Sequence, residues 1–107
     1  MTETFVKNDA EKARMDLLPP RAMHSVAMVL TAGASKYGPD NWRRLAKGER
    51  WRYVGASLRH IFAYMRGESM DTGPGGTGQP HLACAVTSLL FLVELQLVDE
   101  ETETATQ

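Results

Sequence analysis

The sequence predicts an all-α domain: a compact body of about three main helices behind a polar N-terminal arm. Three observations carry that prediction. Apolar residues recur at steps of three and four in three separate stretches. Proline or glycine stands at the ends of those stretches, where helices start and stop. No segment sustains the period-two alternation of a half-buried strand.

Residues 1–19 form the arm, which ends in Leu17-Leu18-Pro19-Pro20. Two consecutive prolines bar a helix from running through them, but Pro20 suits a first turn. A helix is expected from Pro20 to about Lys36, with Met23, Val26, Ala27, Leu30, Gly33, Ala34 and Tyr37 on one face and Gly38-Pro39-Asp40 as its stop. The second helix is expected from about Trp51 to Arg66. It turns Val54, Leu58, Ile61, Phe62 and Met65 inward and carries Ser57, His60 and Tyr64 on the adjoining face. Gly67 ends it. The run Gly73-Pro74-Gly75-Gly76-Thr77-Gly78 reads as a mobile connection able to act as a lid. It lacks the GK[ST] ending of a P-loop.

The third helix is expected from near Pro80 to about Asp99, with Leu82, Ala85, Val86, Leu89, Leu90, Val93 and Leu97 on its apolar face. Leu92 and Leu95 widen that surface beyond one face, which implies packing between subunits. A homo-oligomer, dimer or tetramer, is therefore expected. The helical domain spans residues 20–98, and residues 99–107 read as an acidic, disordered tail.

At 107 residues the chain holds one domain with a modest core. Its single Cys84 excludes an internal disulfide framework and fits a reducing cytoplasm. The run from Leu89 to Leu97 is broken by Glu94 and Gln96, short of the roughly 20 apolar residues of a membrane helix. The N-terminus has neither the basic nor the apolar region of a signal peptide. A soluble cytoplasmic protein is expected.

Charge is divided along the chain. All 12 Lys and Arg residues lie at or before Arg66, and only acids follow: Glu68, Asp71, Glu94, Asp99, Glu100, Glu101 and Glu103. Such asymmetry points to a charged ligand. Glu68-x-x-Asp71 sets two carboxylates near the end of the second helix, one turn apart if that helix extends so far. Hard cations such as Mg2+ or Mn2+ prefer these oxygens. His60 lies two turns earlier on roughly the same side, and His81 opens the next helix. Lys36-Tyr37-Gly38 with Asn41-Trp42 offers flat rings and a polar edge for a purine.

In this order the motifs resemble the phage dATP/dGTP diphosphohydrolase domain. The likeness runs through Lys7, Asp9, Lys12, Arg14 and residues 16–19, then residues 29–42, Arg59-His60, residues 67–71 and residues 81–83. That domain is linked to the MazG-like all-α nucleoside triphosphate pyrophosphohydrolases. The resemblance implies metal-dependent hydrolysis of a purine deoxynucleoside triphosphate to the monophosphate and pyrophosphate, in the host cytoplasm if the chain is phage-encoded. His60, Glu68, Asp71 and His81 would hold Mg2+ or Mn2+ and do the chemistry. Lys7, Lys12, Arg14, Lys36 and Arg59 would meet the phosphates, and Tyr37, Asn41 and Trp42 the base. The alternative is a non-catalytic helical module that binds a nucleotide or nucleic acid through the same cations.

Overall fold

A computed structural model describes residues 3–105; Met1, Thr2, Thr106 and Gln107, at the ends of the arm and tail, lie outside the described residues. Three α-helices, α1 (Pro20–Tyr37), α2 (Trp51–Met65) and α3 (His81–Ala105), make the body. Short 3-10 turns at Met15–Leu17, Asn41–Arg44 and Lys47–Glu49 shape the connections. There is no strand among the described residues, only an isolated bridge between Met70 and Pro80. The domain is all-α.

The boundaries follow local chemistry. Pro20 occupies the first turn of α1, and Gly38, at φ +85°, closes it with its N–H on Ala34 O. The end of α2 is a Schellman motif. Gly67 takes φ +94° and donates to Tyr64 O, while Glu68 donates to Ala63 O. That closure stops α2 at Met65, so the helix does not extend to Glu68 and Asp71. Both lie in the loop that returns the chain to α3.

The faces of α2 and α3 also differ from expectation. Small and polar side chains are what the helix contacts bury: Ser57 and Ala63 from α2, and His81, Cys84, Ala85, Thr87 and Ser88 from α3. In the seam between α2 and α3, Ser57 Oγ donates to Ala85 O at 3.3 Å. The large residues expected inside point outward instead. Val54, Leu58, Phe62 and Met65 are 43 to 71% exposed, and Leu82, Val86, Leu89, Leu90, Val93 and Leu97 are 41 to 55% exposed. Both helices are apolar on more than one side, and backbones can approach closely only across the side with small residues.

Two further expectations change. The acidic tail, read as disordered from Asp99, is helical to Ala105. Lys47 Nζ reaches Glu103 at 3.3 Å. Arg50 Nη1 approaches Asp99 Oδ2 at 2.6 Å, though off the line of a good hydrogen bond. Contact with Arg50 holds the Asp99 carboxyl below its usual range. By length and composition alone, α3 is also apolar enough to cross a membrane. Its packing on both other helices, with polar His81, Thr87 and Ser88 buried, is that of a core helix.

The arm stays exposed throughout, and the Cα radius of gyration is 18.0 Å, against about 13 Å for a compact domain of this length. Among the described residues no large side chain is fully buried. Stability within one chain therefore rests on the small-residue seam. Ala85→Leu should cost about 1–3 kcal/mol by overpacking it, read as a lower urea midpoint with the slope unchanged. An unchanged midpoint would show that the seam is not tightly packed.

Candidate functional site

The seam positions one imidazole from each helix. His60 comes from the middle of α2 and His81 from the first turn of α3, with their Nδ1 atoms 2.8 Å apart. Asp71 approaches from the connecting loop. His60, Asp71 and His81 each present a ligand atom within 4.8 Å of the others. Burial pushes His60 below its ordinary pKa, against an upward pull from Asp71. His81 and Arg59 push it further down, so His60 is neutral at neutral pH. Two nitrogens each about 2.1 Å from one ion stand about 3 Å apart when adjacent in its shell, so the observed spacing fits a shared cation.

Asp71 is held by the glycine-rich loop. Thr77 donates to Asp71 Oδ2 twice, from its backbone N–H and its hydroxyl, both at 2.9 Å. Cys84 Sγ donates to the same oxygen at 3.7 Å. Burial pushes the Asp71 carboxyl up, but the Thr77 bonds and the two nearby imidazoles outweigh it and leave the group below its ordinary value. Burial also pushes the Cys84 thiol above its ordinary value.

This loop is an ordered clamp rather than the mobile lid expected. Asp71 N–H donates to Gln79 O, Gly78 N–H to Asp71 O, and His81 N–H to Ser69 O. Lys36 Nζ donates to Gly75 O. Gly76 lies so near that a Cβ there would stand 2.6 Å from Asp71 O, so only glycine fits without moving the clamp.

Beside the cluster is an apolar cavity of about 470 Å3, lined by Tyr37, Asn41, Trp42, Tyr53, His60, Thr77, Cys84 and Phe91 among others. Trp42 stacks on Phe91 with centroids 4.5 Å apart, and the Arg43 guanidinium lies 4.3 Å over its ring. Both groups cannot share one face, so each covers one and only the Trp42 edge is free. Tyr37, by contrast, is 68% exposed.

The structure thus unites His60, Asp71 and His81 and sets Tyr37, Asn41 and Trp42 nearby. Glu68 is at the rim, 4.0 Å from His81 Nε2 and 3.7 Å from an Arg66 guanidinium nitrogen. Lys36 anchors the clamp, and Arg59 lines a different cavity. Lys7, Lys12 and Arg14 stay on the exposed arm, where Arg14 makes a two-pronged pair with Asp16. Sequence reasoning missed Thr77 and Phe91. A threonine six residues after an aspartate, within a glycine run, was the one available signal for the clamp.

The chain matches the dATP/dGTP diphosphohydrolase N-terminal family over residues 2–105. It is 37% identical over 89 residues to a dATP/dGTP diphosphohydrolase of Salmonella phage PMBT28, an alignment covering 83% of this chain and 29% of that protein. The chain therefore spans less than a third of that relative's length. No solved structure matches it significantly.

Thr77→Val removes one donor to the Asp71 carboxylate and so disfavours its charged form. The Asp71 titration should move to higher pH, and the stability that its ionised form supplies should be lost earlier on acidification. Carboxyl chemical shifts followed through a pH series measure this. An unmoved titration would remove the hydroxyl from the clamp.

Proposed function

The chain belongs to the dATP/dGTP diphosphohydrolase N-terminal family, and on that premise we propose that it hydrolyses a purine deoxynucleoside triphosphate to the monophosphate and pyrophosphate. One observation carries the proposal: a His–Asp cluster with metal-ligand spacing opens, through His60, onto an apolar cavity of nucleoside size. The relative from Salmonella phage PMBT28, named for dATP and dGTP, supports the substrate class. The proposed reaction would run in a cytoplasm, that of the host if the chain is phage-encoded.

His60, Asp71 and His81 are the proposed ligands of Mg2+ or Mn2+. Two imidazoles beside one carboxylate favour Mn2+ over Mg2+, which takes oxygen almost exclusively. When bound, the metal would neutralise phosphate charge and acidify a water. Asp71 keeps Oδ1 for this role, because the bonds from Thr77 and Cys84 all reach Oδ2. Glu68 stays at the rim, its Oε2 4.0 Å from His81 Nε2. In the cavity, Tyr37 supplies a face for the base and Asn41 reads its polar edge. Trp42, covered on both sides, backs the wall. Lys7 and Lys12 on the arm, with no ion pair among the described residues, are available to the phosphates.

The outward apolar residues of α2 and α3 are proposed to pack against a second copy, since a monomer rarely leaves so large an apolar surface bare. Light scattering at micromolar concentration should give a dimer or tetramer. Val93→Asp should dissociate it, and a wild-type monomer would sink the idea.

With Mn2+, dATP or dGTP should yield pyrophosphate, and Asp71→Asn should lower turnover by about 100-fold or more with helical content retained. Release of intact triphosphate would overturn the proposed bond cleavage. Nucleotide binding with no turnover would favour the non-catalytic module.

A further inference from the structure

A second cavity, of about 540 Å3, adjoins the first and shares Tyr37, Asn41, Trp42 and Tyr53 with it. It contains none of the His60, Asp71 and His81 cluster. Three arginines line it instead, Arg44, Arg52 and Arg59, with Glu49 as the single acidic residue. Arg52, Ala56 and Arg59 recur at i, i+4 and i+7 on one face of α2, so the small Ala56 forms a floor between two arginines. Arg44 enters from the 3-10 turn Asn41–Arg44.

These cations are poorly neutralised. Arg52 meets Glu49 Oε2 at only 3.8 Å, with both side chains more than half exposed. Among the described residues, Arg44 and Arg59 make no ion pair, whereas neighbouring Arg43 is engaged with Asp40 and Trp42. Arg59 is also drawn back along its own helix, since a Cβ added at Gly55 would stand 3.3 Å from Arg59 Nη1. Three planar cations around one concavity, with only the weakly engaged Glu49 carboxylate among them, repel each other, and that repulsion is relieved by a multiply charged anion. Guanidinium forks match phosphate oxygens in pairs.

We propose that Arg44, Arg52 and Arg59 form a polyphosphate-binding site separate from the His–Asp cluster. Its ligand is a chain of linked phosphates, either the triphosphate tail of a nucleotide or an inorganic polyphosphate. The arginines converge on one hollow rather than following an open strip, which suits a compact polyanion better than a nucleic-acid backbone. Phosphate binding here needs no catalysis; the nucleotide-tail source rests on the hydrolase reading, and the inorganic source does not.

Inorganic tripolyphosphate, titrated calorimetrically at low salt with divalent metals chelated, is the direct probe. Binding of one equivalent per chain is expected, weakening steeply with added salt. Arg52→Ala and Arg59→Ala should each weaken it about tenfold or more, and Arg59→Lys should lose less than Arg59→Ala. Glu49→Gln should tighten it several-fold, and Asp71→Asn should leave it unchanged. The three side chains changed at the cavity, Glu49, Arg52 and Arg59, are exposed, so circular dichroism should show folded variants. Displacement of tripolyphosphate by dATP would identify the nucleotide tail as the ligand, and simultaneous binding of both an independent polyphosphate. The proposal is overturned if tripolyphosphate does not bind, if the Arg52→Ala/Arg59→Ala double variant binds as well as wild type, or if a single-stranded oligonucleotide binds more tightly.

Discussion

Imidazoles on two different helices can come within 2.8 Å only if the helix backbones run close together at that point. Small buried residues on the two helices, with Ser57 bonded to the Ala85 backbone, make this possible. Bulkier residues would hold α2 and α3 apart and separate His60 from His81. The rest of the site inherits its geometry from this contact. The connecting loop must leave α2 at Met65 and deliver His81 as the first residue of α3, and the hydrogen bonds between Asp71 and residues 77–79 fold the intervening chain into that span.

The same seam has a cost on the opposite faces. Small residues bury little apolar area, at about 25 cal/mol per Å2, while the large aliphatic residues of α2 and α3 remain outside. A single chain therefore keeps its interacting histidines in place with a thin core. The proposed second copy would cover the outer faces and add the missing burial, coupling formation of the site to association. On this view the helices carry apolar residues on two sides because they have two different partners.

The helix ends were legible because prolines and glycines act locally. Pro20, Gly38 and Gly67 do in the fold what their backbone constraints dictate. His60, Asp71 and His81 could be named from the sequence as metal-ligand types, and the fold brings these three together. What the sequence could not show depends on three-dimensional choice. Periodicity gave α2 an apolar face but could not say that close packing would select the small-residue face instead. Glu68 and Asp71 looked equivalent until the turn at Gly67 sent one to the rim and the other into the clamp. The glycine run resembled a flexible link because its order comes from bonds to the backbone and carboxylate of Asp71, and glycine content alone carries no trace of them. Trp42 looked like a platform for a base, but Phe91, far along the chain, takes one of its faces.

Adjacent residues on α2 are separated by about 100° around the helix axis, and here that rotation divides two kinds of chemistry. His60 faces α3 and the carboxylate of Asp71, while Arg59 faces the arginine-lined cavity. The division has an electrostatic reason. Cations placed among the metal ligands would repel the ion those ligands are proposed to hold, and even across the helix Arg59 contributes to lowering the His60 pKa. Keeping Arg44, Arg52 and Arg59 in the adjoining cavity reduces that repulsion without removing their attraction for phosphate. Tyr37, Asn41, Trp42 and Tyr53 line both cavities. A phosphorylated ligand in one cavity would thus touch residues that shape the other, which gives the two sites a physical route for influencing each other even if they never hold the same molecule.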